Sequence, residues 1–588
     1  MADISSPVIY EVKYNQEFLS NKNWLPIHMA EQDRKYLSQY PTVYIVNDKG
    51  NRANYSVYVG ETTNIMRRTR EHLKRDSKNR EDWERFSKSK TAEMFIIGHD
   101  RFNKSLTLDI ENRLMQYMSS VPKVKTVHNR RSNLQSEYYT SDKLDKIFSK
   151  IWLDLRKRNK ELFPVEQIIR DSAIFKASPF HKLMTEQFNA REDIILRITE
   201  ALNRSKENQL ILVEGEAGSG KTVLMSSLFY ELSELSKEGS ENAQLKNIDQ
   251  HLLVNHEQQL TVYKQIADKL GMINKGNKNI VAKPTNFINR YSPDKKADVV
   301  IVDEAHLLWT QGKQGYHGKN QLKDLMERAK VVVAIFDENQ ILSTEQYWEE
   351  EDLRTLKHEA LLDQNYIKLE NQLRINAEDH TLQWIRSLIH EGKIHPIIED
   401  IKGYDLKIFD RPEILHKEIV KKAKNEDFGI SRITATFDWE YSSERESEEP
   451  DKLWKVKIGD WELPWNLQVE VSKEEKRKNN KLAWAEQAHT IGEVGSTFTV
   501  QGFDLNYAGV IIGPSVKYRN GEIIFDREGS MNRKAKNRRT LKNGEAEYVA
   551  EKLLKNELNV LLTRGVNGLY IYAVDDELRE ALLKAQGQ

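Results

Sequence analysis

An apolar run, Leu210-Ile211-Leu212-Val213, empties into Gly215-Glu-Ala-Gly218-Ser-Gly220-Lys221-Thr222, the spacing G-x-x-x-x-G-K-[ST]. No other stretch limits the fold of this chain so much. A continuous run of this kind reads as a buried strand of a parallel sheet. The glycines let the following loop wrap closely with its N–H groups inward, and the run from Thr222 to Met225 opens a helix. Such a loop is a phosphate cradle. Lys221 is expected to reach the β- and γ-phosphates of a nucleotide as a point charge, while the Thr222 hydroxyl ligates Mg²⁺. Gly215, Gly218, Gly220, Lys221 and Thr222 therefore form the expected cofactor-binding loop, in an α/β fold.

Two later stretches repeat the strand-into-polar design. Ala297-Asp-Val-Val-Ile-Val302-Asp303-Glu304-Ala-His306 ends an apolar run in two carboxylates. Asp303, at the strand's C-terminal end, is placed to hold Mg²⁺ and Glu304 to polarise an attacking water. Val331 to Phe336 then leads into Asp337-Glu-Asn-Gln340, where Gln340 is in line to hydrogen-bond the γ-phosphate or its water. His251 to Val254 reads as a further strand of the same sheet.

At 588 residues the chain is too long for one core, and its size suggests about three to four domains. No run of about eighteen apolar residues is present, which excludes a membrane-spanning helix, and residues 1–10 lack the pattern of a secretory signal. The absence of cysteine rules out disulfides and cysteine-ligated zinc and fits a reducing, cytoplasmic setting. The 90 basic residues balance 90 acidic ones, so any nucleic-acid contact has to come from local patches.

One patch lies near the N-terminus. Thr42-Val-Tyr44-Ile-Val46 and Tyr55-Ser-Val-Tyr58-Val59, joined by a turn-rich link around Gly50, read as a hairpin. Arg68 and His72 follow, four apart and so on one helix face. Residues 64–90 carry ten Lys/Arg against five Asp/Glu, a surplus suited to a phosphate backbone. Tyr44, Tyr58-Val-Gly60, Arg68, His72 and Glu111 resemble, in order and spacing, the GIY-YIG nuclease family, over about residues 40–135. The resemblance implies a small α+β nuclease domain. In it Tyr44 and Tyr58 help to activate the attacking water, Arg68 and His72 form the catalytic helix pair, and Glu111 holds a single divalent metal. It also implies an asparagine after the glutamate helix, for which Asn129 and Asn133 are both candidates. One departure is Thr42-Val43-Tyr44, where the family's first motif usually carries glycine, so the close backbone approach that glycine permits is not guaranteed.

From Ser141 to about Lys176 helical spacing and heavy charge read as a connector, ended by prolines 164 and 179. Gln187 stands where related motors read adenine, although a surface glutamine fits as well. Beyond the motor strands come Leu369-Glu-Asn-Gln372-Leu-Arg374, Phe498-Thr499-Val-Gln501-Gly502-Phe-Asp504 and Leu562-Thr563-Arg564-Gly565. Together with Asp337-x-x-Gln340 these resemble superfamily 1 helicases, and most closely the bacterial helicase-like family related to the Schlafen helicase domain. The resemblance implies two RecA-like lobes, an ATP cofactor, Arg374 and Arg564 reaching the γ-phosphate from the second lobe, and Thr499, Gln501 and Gly502 at the nucleic acid. Residues from about 437 to 490 fall outside the RecA pattern and read as a β-containing insertion whose Trp454, Trp461, Trp465 and Trp484 serve either base stacking or core packing. Asn532 to Asn543, with Arg538 and Arg539, is a solvated basic loop or a phosphate clamp.

The expected organisation is a nuclease domain over 1–140, a helical linker over 141–185, a first lobe over 186–365 and a second over 366–588. The expected activity is an ATP-dependent motor joined to a metal-dependent endonuclease acting on DNA, with RNA possible, in defence against phage. The alternative is an ATP-dependent sensor that gates the nuclease without unwinding. Self-association and partner proteins stay open.

Overall fold

The computed structural model describes residues 4–20, 24–50, 54–128, 138–204, 206–238, 240, 242–273, 276–312, 315–372, 374–425, 429–479 and 482–587. Asn129 and Asn133 lie outside them. Among the described residues no helix is long and apolar enough to cross a membrane. The chain divides into one unit of Met1–Lys182 with Tyr263–Lys278 and another of Leu183–Val262 with Asn279–Gln588.

The first unit is built on a five-stranded sheet, ordered β1 (Val8–Lys13), β4 (Glu93–Gly98), β2 (Thr42–Lys49), β3 (Tyr55–Thr62), β5 (Val124–Val127). β2 and β3 form the expected hairpin, in a register that sets Tyr44 opposite Gly60 and Val46 opposite Tyr58. Helix α1 (Ile65–Glu71) follows β3, its first turn capped by the Asn64 side chain accepting from Arg67 N. It runs on as a single π-helical turn over His72–Asp76. Helix α2 (Lys104–Ser120), capped by Asn103, buries Leu106, Ile110, Glu111 and Leu114.

The segment expected as a separate linker is part of this unit. Helix α3 (Leu144–Arg158) buries the stripe Leu144, Ile147, Phe148, Ile151, Trp152 and Leu155. Tyr117 of α2 meets Phe148 and Trp152 edge-on, and Trp152 Nε1 donates to Pro164 O at 2.8 Å. The apolar face that gave the segment its helical period is covered, and that is why it does not stand alone.

The second unit holds two all-parallel sheets. One has the order β11 (Tyr366–Leu369), β6 (Gln209–Gly215), β10 (Ala329–Phe336), β9 (Ala297–Asp303), β7 (Gln250–Val254), β8 (Val281–Ala282). The other runs β12 (Asp405–Ile408), β22 (Gly565–Ala573), β17 (Leu505–Ile512), β13 (Ser431–Ala435), β16 (Val494–Gly495). Three antiparallel hairpins complete the second lobe: β14 (Lys455–Ile458) with β15 (Trp461–Pro464), β18 (Val516–Arg519) with β19 (Glu522–Phe525), and β20 (Arg538–Thr540) with β21 (Ala546–Tyr548).

The insertion therefore contains strands, as its pattern suggested, but most of its tryptophans are core. Trp461 and Trp465 pack with Ile433, Val456 and Val494, and Trp484 is fully buried. Helix α6 (Ala550–Leu562), after α4 (Thr185–Asn203) and α5 (Lys221–Leu235), is a second-lobe helix that packs onto the first. Its Leu553 and Leu554, with Ala535 and Val549, join one apolar cluster with Phe336, Ile341 and Trp348 of the first lobe.

Candidate functional site

Strands β6, β9 and β10 bring Gly215, Asp303 and Asp337 to one end of the first-lobe sheet, the end where parallel sheets bind ligands. In the loop after β6, Gly218 and Gly220 adopt φ of +90° and +74°, values that other residues resist. A Cβ on Gly218 would also lie 2.8 Å from Arg374 Cβ. Lys221 Nζ donates to Gly215 O at 2.6 Å, Glu216 O at 2.8 Å and Asp337 Oδ2 at 3.0 Å. Burial opposes ionisation of Asp337, but the Lys221 and His306 charges and the bonds from Gln340 and Lys221 together outweigh it and hold the carboxyl below its usual range.

The same carboxylate accepts Gln340 Nε2 at 2.6 Å, and Gln340 Oε1 accepts Arg564 Nη2 at 3.2 Å. A continuous polar chain thus joins Lys221, Asp337, Gln340 and Arg564 across the two lobes. Arg564 is buried, and burial first, then the neighbouring Arg374, pushes its pKa down to about 10. Arg374 pairs with Asp504 through Nε at 2.6 Å. Arg374 thus lies beside Gly218 of the loop, and Arg564 beside Gln340.

Asp303 is buried and accepts Gln259 Nε2 at 2.7 Å and Glu304 N at 3.0 Å. Glu304 has φ +53° and lies 2.9 Å from His306 Nε2. Burial raises the pKa of Glu304, but His306, Lys221 and Arg564 together hold it low. A hydroxyl at a helix start and a carboxylate at a strand end are hard oxygen donors, so Thr222 and Asp303 suit Mg²⁺ with waters and phosphate completing the shell.

Gln187, expected to read adenine or to lie at the surface, is buried beside the P-loop. Its Oε1 accepts Met184 N at 3.0 Å, while Nε2 points to Ser219 O and Gly220 O at 3.4 and 3.3 Å. The carboxamide braces the P-loop, and both of its ends are used. Three residues that the sequence did not single out also shape the cleft. Gln259 holds Asp303, while Asn556 and Asn559 of α6 donate to the carbonyls of Glu338, Ile341 and Asn339 at 2.9 to 3.0 Å. The spacing of Asn556 and Asn559 on one helix face was the available signal.

The expected nucleic-acid residues divide. Thr499 Oγ1 is engaged with Ser496 O and N, and Gln501 is buried with Nε2 3.5 Å from Gln340 O. Gly502, at φ +78°, passes beside Gln259. Arg539 is buried and donates to Thr310 O, Thr310 Oγ1, Thr344 O and Gln311 Oε1. First-lobe oxygens thus take both terminal nitrogens of Arg539, a use other than the phosphate clamp that the sequence left open. Arg538 is exposed, its guanidinium 4.8 Å over the Tyr548 ring.

In the first unit a second cluster forms. Tyr44 Oη is 2.8 Å from His72 Nε2, and the Tyr44 and Tyr58 rings stack at 6.1 Å. Arg68 faces both tyrosines electrostatically and donates through Nη1 to Glu71 Oε2 at 3.2 Å. Burial raises the pKa of each phenol, with Arg68 opposing and Glu111 adding to the rise. Gly60 supplies the close approach missing from the first motif, since a Cβ there would lie 2.4 Å from Tyr44 Oη. The structure thus brings Tyr44, Tyr58, Arg68, His72 and Glu111 together. Among the described residues no group of three or more His, Cys, Asp or Glu could hold a metal. Glu111 by itself suits a hard divalent cation whose remaining ligands are water and phosphate.

The Schlafen group 3 DNA/RNA helicase domain matches residues 208–575. An uncharacterised protein of Saccharomyces cerevisiae, YPL245W, is 35% identical over 436 residues, covering 68% of this chain and 90% of its own length. Among solved structures, the Pif1 helicase from Candida albicans shows 11% identity over 68% of this chain and 96% of its own, at a TM-score of 0.28. S. cerevisiae Dbp5 bound to RNA and ADP BeF3 shows 11% identity over 72% of this chain and 90% of its own, at a TM-score of 0.29.

Proposed function

The chain belongs to the Schlafen group 3 DNA/RNA helicase-domain family, and on that premise we propose that its second unit is an ATP-driven nucleic-acid motor and its first a divalent-metal-dependent endonuclease. The observation that carries the motor reading is the polar chain from Lys221 through Asp337 and Gln340 to Arg564. ATP phosphates entering the loop compete for Lys221, and the loss of that contact is relayed through Asp337 and Gln340 to an arginine on the other lobe. Thr222 and Asp303 would hold Mg²⁺, which would supply positive charge at the phosphates. Glu304 orients the attacking water, and Arg374 and Arg564 meet the charge that develops on the transferred phosphoryl group.

For the endonuclease, the supporting observation is the convergence of two tyrosines, Arg68 and His72 around Gly60. Tyr44, hydrogen-bonded to His72, takes a proton from water. Tyr58 and Arg68 bind the scissile phosphate, and Glu111 would hold a divalent cation, which would supply positive charge for the departing oxygen. DNA is the proposed substrate. A sequence-blind cutter joined to a motor suits defence against phage DNA, with repair as the alternative.

A second reading draws on Arg539 and α6. Their contacts tie the lobes together, which suits an ATP-operated switch that gates cutting without unwinding. ATP turnover and strand displacement, measured with single-stranded DNA and RNA, test both readings. Nucleic-acid-stimulated hydrolysis that is lost in Lys221→Ala is expected of either. Displacement of a strand supports the motor, while ATP-dependent cutting without displacement supports the switch. Hydrolysis indifferent to nucleic acid would refute both.

A further inference from the structure

Beneath the tyrosine cluster His72 makes a second contact that the nuclease reading does not use. Its Nε2 faces Tyr44 Oη at 2.8 Å, and its Nδ1 lies 2.7 Å from Asp76 Oδ2. The imidazole is almost fully buried, stacked on Trp83 at 3.6 Å between ring centroids and 16° between planes. Backbone geometry marks the same turn, because His72–Asp76 is the π-helical segment between α1 and the next helix. Turns of this kind often accompany functional sites.

We propose that Asp76 is a positioning residue of the cutting site: it accepts the Nδ1–H of His72, fixing the tautomer whose Nε2 lone pair takes the Tyr44 proton. The inference rests on the endonuclease reading above. In the opposite tautomer the Nδ1 lone pair would face the Asp76 carboxylate, and Nε2–H would donate to Tyr44 instead of accepting from it. Such a pairing repels on one side and removes the proton acceptor on the other.

Other charged groups around the ring leave this task to Asp76. Arg68 and Arg80 face His72 electrostatically, and Asp82 is engaged by Arg80 in a two-point pair at 3.1 and 2.5 Å. Burial first, then the two arginines, lowers the pKa of His72, so the ring carries one N–H whose place the hydrogen bonds decide. A substrate phosphate bound at Arg68 offsets that positive charge and raises the proton affinity of Nε2 when it is needed.

The step balances. The water oxygen forms a new bond to phosphorus as its proton passes to the Tyr44 oxygen, and the Tyr44 proton passes to Nε2. The bond from phosphorus to the bridging sugar oxygen breaks, and that oxygen leaves with a proton from solvent.

Two readouts on the full chain test the inference. Steady-state cutting of plasmid DNA by Asp76→Asn should show kcat lowered on the order of 10²-fold with KM unchanged, and Asp76→Glu should recover part of the loss. Long-range ¹H–¹⁵N spectra of histidine-labelled protein, with the His72 signals assigned from their loss in His72→Gln, should place the parent's ring proton on Nδ1, and Asp76→Ala should give a mixture. A parent ring proton on Nε2, or an Asp76→Asn variant that cuts at the parent rate, would overturn the proposal. If the parent cuts no nucleic acid, the endonuclease reading fails, and the spectra still decide whether Asp76 sets the tautomer.

Discussion

Arg564 of the second lobe donates to the Gln340 carboxamide of the first at 3.2 Å with only 1% of its surface exposed. The guanidinium is held there by a further bond from Nε to Val560 O at 3.2 Å. A cation fixed in this way is pre-organised, so little reorganisation is needed when phosphate charge develops beside it. Arg564→Ala should lower kcat for ATP hydrolysis by about 10³-fold or more, as loss of an arginine finger does. Arg564→Lys should not restore it, because one ammonium cannot keep both contacts and also meet a phosphate. Phosphate-release kinetics check both variants.

Gly60→Ala should abolish DNA cutting while leaving ATP hydrolysis at the parent rate. The added methyl would sit 2.4 Å from Tyr44 Oη and 2.5 Å from Cζ, and the buried ring, tied to His72, has nowhere to go. Plasmid nicking read beside phosphate release separates the two effects. Cutting at the parent rate would mean that Tyr44 does not act from this position.

Arg539→Ala should loosen the lobes without touching nucleic-acid affinity. Its guanidinium serves Thr310, Gln311 and Thr344 of the first lobe. Losing these buried bonds costs on the order of 2–3 kcal/mol. A lower urea midpoint, with the salt dependence of DNA binding unchanged, is expected. A shallower salt slope would instead place Arg539 against phosphate.

Stability should fall as pH rises through the titration of Glu557. This α6 side chain is 1% exposed, and burial, with Asp438 adjacent, raises its pKa from 4.5 to about 8. Between those values the folded chain keeps a proton that the unfolded chain has released. The stability contributed by this group is therefore full below the lower value and is lost on passing the upper one. Glu557→Gln stays neutral throughout. Urea unfolding should show the variant close to the parent at a pH of about 5 and more stable by on the order of a few kcal/mol at about 9. Equal stability at the higher pH would show that the carboxyl is not held protonated.

The sequence displayed whatever a local pattern encodes. Gly215 to Thr222, Asp303 and Gln340 could be read because each sits at the end of an apolar strand, and the two-residue period of Tyr44 and Tyr58 against Gly60 gave the hairpin. Partners distant in sequence could not be read. A basic run looks the same whether its arginine meets phosphate or, like Arg539, carbonyls some 200 residues away. The Gln187 carboxamide is used on P-loop carbonyls, and nothing adjacent to it says so. Asp76 stands four residues after His72, one more step along the face that carries Arg68 and His72, and its spacing was the available signal. The tryptophans of the insertion were open to base stacking or core packing, and Trp465 and Trp484 are fully buried.

The central claim is that one chain couples ATP to the cutting of nucleic acid, and it is tested most directly by incubating the purified protein with labelled plasmid, single-stranded DNA and RNA, with and without ATP and Mg²⁺. Cutting that requires Mg²⁺, rises with ATP and disappears in Arg68→Ala is the predicted result. Absence of cutting under every condition, or cutting that survives Arg68→Ala, would contradict it.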